Sequence, residues 1–136
     1  MNEKECLARA YLRMLQGYEA AAAIYKDRYV YARLSARKDS HAEKAYVQTE
    51  RKADLIRKEL FQSLSTIANE NSRQVLWLLY IERKQVDEVA HYLCLSPDAV
   101  LRLRKKGLRS IEIPDEMIEV LLRRREELNK KPCAND

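Results

Sequence analysis

Leu7, Tyr11, Met14, Tyr18, Ala21 and Tyr25 succeed one another at alternating intervals of four and three residues. That spacing holds all six on one side of a 3.6-residue helix and predicts a first helix over about 3–33. The alanines at 20–23 strengthen the prediction, because alanine loses no side-chain freedom in a helix. Around Ser35–His41 the pattern lapses into small and charged residues, with Asp39 and Ser40 placed to cap a second helix. A second stripe, Tyr46, Thr49, Ala53, Ile56, Leu60, Leu64 and Ile67, predicts that helix over 42–68. Two helices of similar length with matching stripes are expected to bury them against each other as a hairpin.

Asn69-Glu70-Asn71-Ser72 then breaks the pattern, with Asn71 or Ser72 expected to cap the next helix. The remaining segments are shorter. Val75, Leu76, Leu79 and Tyr80 mark the inward face of a helix over 73–83, and further helices are expected over 87–94 and 97–110. Pro114 stops or restarts the chain, and Ile118, Leu121 and Leu122 mark a last helix over 115–129, with the tail 130–136 expected to fray. The expectation is an all-α protein with three parts: a long hairpin (1–71), a helix-turn-helix (72–113), and a C-terminal helix with its tail (114–136).

Composition sharpens this picture. Only 2 glycines and 3 prolines occur in 136 residues, which suits long helices, and 46% hydrophobic residues suffice for a core. No apolar run reaches membrane-spanning length, and the charged start Met1-Asn2-Glu3-Lys4-Glu5 does not read as a signal peptide. Cys6, Cys94 and Cys133 are scattered and odd in number, the usage of a reduced cytoplasmic protein. The formal net charge of +5 suits a polyanionic partner.

The charge is most concentrated between Arg102 and Arg109. Just before it, Gln85 to Lys105 reads as two short helices crossing at a steep angle. Ala90 is small enough for the closest approach, Val89 and Leu93 face inward, and Leu95 plugs the turn. Ser96 is placed as an N-cap, Pro97 at the first helical position and Asp98 near the positive end of the helix dipole. Val100 and Leu103 then face inward. Leu101, Arg102, Lys105 and Lys106 are left outward, flanked by Arg104 and Arg109, as a basic ridge able to neutralise phosphates and read guanine edges.

Arg73, Val75, Leu76 and Tyr80, then Glu88-Val89-Ala90, then Ser96, Val100 and the basic ridge resemble region 4 of bacterial sigma factors of the sigma-70 class. The resemblance covers residues 72–113, and the long helices before it resemble in pattern small phage-encoded late transcription regulators. It implies that Ser96, Asp98, Leu101, Arg102, Lys105 and Lys106 face DNA. Cys94 departs from the family, which usually places glycine at that left-handed turn position. The regions with which a full sigma factor binds core polymerase and melts DNA have no counterpart, so a stand-alone initiation factor is not expected.

Other chemistry is weaker. His91 and Cys94 lie three apart, but two ligands do not make a zinc site. The five tyrosines between Tyr11 and Tyr31 suit base stacking less well than packing and interfaces. Asp115, Glu116 and Glu119 complement a helix start. With no phosphate loop and no nucleophile–base set, neither an enzyme nor a cofactor or metal is expected. The expected function is a transcription regulator, phage or prophage encoded. Its expected partners are double-stranded DNA, RNA polymerase and a second copy of the chain as a homodimer, with no membrane. Two other readings stay open: a module that binds RNA polymerase without reading DNA, and a phage DNA-packaging component.

Overall fold

A computed structural model of the chain describes residues 2–35 and 37–130, the last three by their backbone alone. The rest of the tail expected to fray, with Cys133, lies outside the described residues. The protein is all-α: α1 (Glu3–Leu34), α2 (Ser40–Ser65), α3 (Glu70–Leu76), α4 (Val86–Leu93), α5 (Pro97–Ser110) and α6 (Asp115–Lys130), with no strand among the described residues. No described helix is long and apolar enough to cross a membrane.

Local hydrogen bonds explain the boundaries. Asp39 caps α2, its Oδ1 accepting the Ala42 N–H at 3.0 Å. The cap of α3 is Asn69, whose Oδ1 accepts the Ser72 N–H at 3.0 Å. The caps expected from the sequence, Asn71 and Ser72, lie inside that helix instead, and Ser72 is fully buried. Beyond Leu76 the chain does not stay α-helical to residue 83 as expected. Trp77–Ile81 forms a wider π-helical turn in which the Glu82 N–H reaches the Trp77 carbonyl. Arg83 then turns left-handed (φ 57°), and the Lys84 N–H returns to the Leu78 carbonyl at 2.9 Å, closing the helix end.

The chain divides into two compact units, Arg13–Gln62 and the combination of Met1–Leu12 with Ser63–Asp136. This partition differs from the boundaries at 71 and 113 expected from the sequence. The opening turns of α1 belong with the C-terminal helices.

In the unit 13–62, α1 and α2 run antiparallel, since Glu19 meets Arg57 (2.7 Å) and Tyr29 stacks on Tyr46 (centroids 6.4 Å apart). Ala22, Ala32, Ala42 and Ala53 are buried. The α2 stripe is buried or half-buried as expected. On α1 the buried line runs one residue later than the tyrosine stripe, through Leu15 and Ala22 in this unit and through Ala8 and Leu12 in the other, where Tyr11 lies beside it. Tyr18 and Tyr25 are half-buried, as suits side chains with an apolar ring and a polar end.

In the other unit, Val75, Val89, Ala90 and Val100 form a buried core, covered by Leu78, Leu79, Val86, Leu93, Leu95 and Leu103. α5 packs on both α3 and α4. The crossing with α3 is so close that a Cβ added at Gly107 would lie 2.8 Å from Leu76 Cδ1 and 3.3 Å from Ser72 Cβ. Alanine there gains about 1 kcal/mol of helix propensity. Overpacking against a fully buried leucine costs about 1–3 kcal/mol. Gly107→Ala is therefore expected to destabilise the protein by about 1 kcal/mol in urea unfolding, and an unchanged midpoint would show that Leu76 yields freely.

Candidate nucleic-acid interface

The geometry of α4, its turn and α5 begins with backbone hydrogen bonding. The Gln85 N–H donates to the Glu88 carboxylate at 3.2 Å, fastening the start of α4. Cys94 ends α4 in the left-handed region (φ 57°, ψ 44°), and the Leu95 N–H returns to the Ala90 carbonyl at 2.9 Å. Ser96 Oγ accepts the Ala99 N–H at 3.1 Å, and Pro97 opens α5. Leu95, half-buried, joins the core from the turn.

The face that α5 buries carries Val100, Gly107 and Leu108, with Leu103 half-buried. Its opposite face exposes Asp98, Leu101, Arg102, Lys105, Lys106 and Arg109, with Ser96 exposed at its start. Helical geometry gathers these residues into one strip, because positions 98, 102, 105 and 109 lie at intervals of four and three. Arg102, Lys105 and Lys106 form no ion pair with any described residue.

Two of the eight residues expected at the interface are placed differently. Arg104 is on the side of α5 facing the protein. It is half-buried, and its Nε is shut off from solvent without a hydrogen-bond partner. The expected flank position is not kept because residue 104 lies four beyond Val100, which sets it over the buried face. Arg109 is on the exposed strip but already occupied: its Nε donates to Glu5 Oε1 at 2.5 Å. Lys4 Nζ donates beside it to the Ile111 carbonyl.

Glu5 is the functional neighbour that sequence reasoning missed. Its side chain is only 2% exposed, although it sits in the first turn of α1. Nothing local marks it, since its partner is 104 residues away. Burial alone pushes its carboxyl upward, but the Arg109 hydrogen bond and charge, helped by the Lys105 charge and the Asn2 backbone, hold it below the usual glutamate range. Glu5, Leu101, Arg102, Arg104, Lys105 and Leu108 line an open hollow of about 330 Å³.

His91 and Cys94 are both exposed, and among the described residues no three His, Cys, Asp or Glu side chains converge as metal ligands. Compared with known proteins, the chain matches no family model, no curated protein and no solved structure.

A left-handed residue with a Cβ is strained, so Cys94→Gly is expected to raise stability by roughly 0.5–1 kcal/mol in chemical unfolding. A loss of stability would show that the thiol makes up for the strain. The Glu5 pair gives a pH dependence. A carboxyl whose pKa is lowered on folding stabilises fully above its unfolded value of about 4.3, and the contribution is lost as pH falls through the folded value. Glu5→Gln should lower the melting temperature at neutral pH and flatten its decline below pH ~4. Parallel melting curves for the two proteins across that range would refute the ion pair's contribution.

Proposed function

We propose that the protein is a sequence-specific DNA-binding transcription regulator. In this reading α4, the turn and α5 act as a helix-turn-helix, with the exposed strip of α5 in the major groove. One observation carries the proposal: Arg102, Lys105 and Lys106 stand side by side on a single helix face, exposed and without an ion pair to any described residue, next to the apolar Leu101. Lysine and arginine neutralise phosphates, arginine pairs with guanine O6 and N7, and an apolar side chain contacts the thymine methyl. Asp98 at the helix start suits the cytosine amino group. The Ser96 hydroxyl accepts from the backbone as a cap, which leaves its O–H free to donate to a phosphate.

The resemblance of residues 72–113 to sigma-70 region 4 fits the same reading. It extends it to action beside RNA polymerase in the cytoplasm, as in phage-encoded regulators of late transcription. Arg109 contributes less than its charge suggests, because Glu5 already holds it.

The test is a titration of the protein into labelled random-sequence duplex DNA at several salt concentrations, monitored by anisotropy. Each lost phosphate contact lowers the salt slope by about 0.9, so Arg102→Ala/Lys105→Ala should lower it by roughly 2 and weaken binding on every sequence. Arg109→Ala should change it less. Affinity and slope unchanged in the double variant would overturn the assignment of α5, and no binding at low salt would overturn the function.

A further inference from the structure

The end of the hairpin at which α1 gives way to α2 concentrates positive charge. Residues 26–44 hold six lysines and arginines against three carboxylates. The rest of that unit, 13–25 and 45–62, holds five against four. The cations at this end are not equivalent. Arg33 is engaged, its Nη1 donating to the Tyr29 hydroxyl at 3.1 Å. Arg28, Arg37 and Lys38 are exposed and form no ion pair with any described residue.

Arg28, Arg37 and Lys38 line an open hollow of about 310 Å³, together with Tyr31, Ala32 and Asp39. Helix periodicity brings Arg28, Tyr31 and Ala32 to one side of α1, since 31 and 32 lie three and four residues beyond 28. Ala32 is buried and adds only a methyl group to the wall. Arg37 is held in two ways. Its backbone N–H donates to the Ala32 carbonyl at 2.8 Å, and its guanidinium lies over the Tyr31 ring, 5.9 Å from the centroid. Stacking occupies a face of the guanidinium and leaves the N–H donors at its edge open to an acceptor. Asp39, the carboxylate among the lining residues, is already used. Its Oδ1 accepts the Ala42 N–H, and its charge lies at the positive end of the α2 dipole.

We propose that this hollow binds a backbone phosphate of DNA, as a contact separate from α5. The donors define the ligand class: an arginine fork pairs with two phosphate oxygens, and a lysine supplies a point charge. No asparagine or glutamine lines the hollow to read a base edge, so the contact adds affinity on every sequence alike. Cations on the walls of a concave site suit a phosphate that stands out from a strand. The flat headgroup layer of an anionic membrane does not reach into such a site.

Anisotropy titration of labelled random-sequence duplex at several salt concentrations tests it. A phosphate seated in the hollow adds about 0.9 to the salt slope. Arg28→Gln/Arg37→Gln/Lys38→Gln should lower the slope by at least that amount and weaken binding severalfold, with unchanged helical circular dichroism. Arg51→Gln/Lys52→Gln/Lys58→Gln removes the same charge from exposed positions of α2 in the same unit and should lower the slope by less than half as much. Equal losses in the two triple variants, or no loss in the first, would overturn the proposal. The slope should fall in the hollow variant whether or not it falls in Arg102→Ala/Lys105→Ala, so the two assignments stand or fall separately. Sedimentation with phosphatidylglycerol–phosphatidylcholine vesicles supplies the other arm. Vesicle binding that the hollow variant loses, with DNA binding unchanged, would overturn the proposal in favour of a membrane.

Discussion

The tight crossing of α3 and α5 is the constraint on which the C-terminal unit depends. Gly107 on one helix meets Ser72 and Leu76 on the other so closely that a Cβ on residue 107 would lie 2.8 Å from Leu76 Cδ1 and push that side chain aside. Once that side of α5 is pressed against α3, its rotation is set. Val100 and Leu108 go inward with Gly107, and Leu101, Arg102, Lys105 and Lys106 go outward. The proposed groove-facing strip is thus a consequence of packing on the opposite side. The turn before it supports the same orientation: left-handed Cys94 ends α4, Leu95 drops into the core, and Ser96 starts α5.

Packing also selects among the basic residues. Five cations between Arg102 and Arg109 form a uniform ridge in one dimension, but not in three. Arg104 turns toward the protein, and Arg109 is bonded to Glu5. Three remain exposed and without an ion pair to any described residue. The buried Glu5 carboxylate has a use within the fold, since it attaches the first turn of α1 to the last turn of α5 and draws on the charge of Lys105 as well. A buried charge is tolerable where its partner is close and its remaining lone pairs are satisfied.

The hairpin shows how one helix can carry two readable stripes. Tyrosines at heptad spacing point to one face of α1, yet the alanine and leucine line one residue later is what becomes buried. Small side chains let two helix axes approach, and bulky amphipathic ones are better placed at the edge. The opposite face, with Gly17, Ala20, Ile24, Tyr31 and Leu34, remains in water.

Local chemistry was legible in the sequence alone. The all-helical class came from the scarcity of glycine and proline and from 3.6-residue periodicity. The start of α5 came from Ser96 and Pro97, and the strained turn position at Cys94 from its place between two helices. These features depend on neighbours a few residues away. Tertiary structure alone decided the rest: the inward turn of Arg104, the role of Gly107, and the pairing of Glu5 with Arg109. Each of these depends on which side of a helix is pressed against a distant segment. The spacing of residues along the chain records which side chains share a face, and only the packed core determines which face meets water.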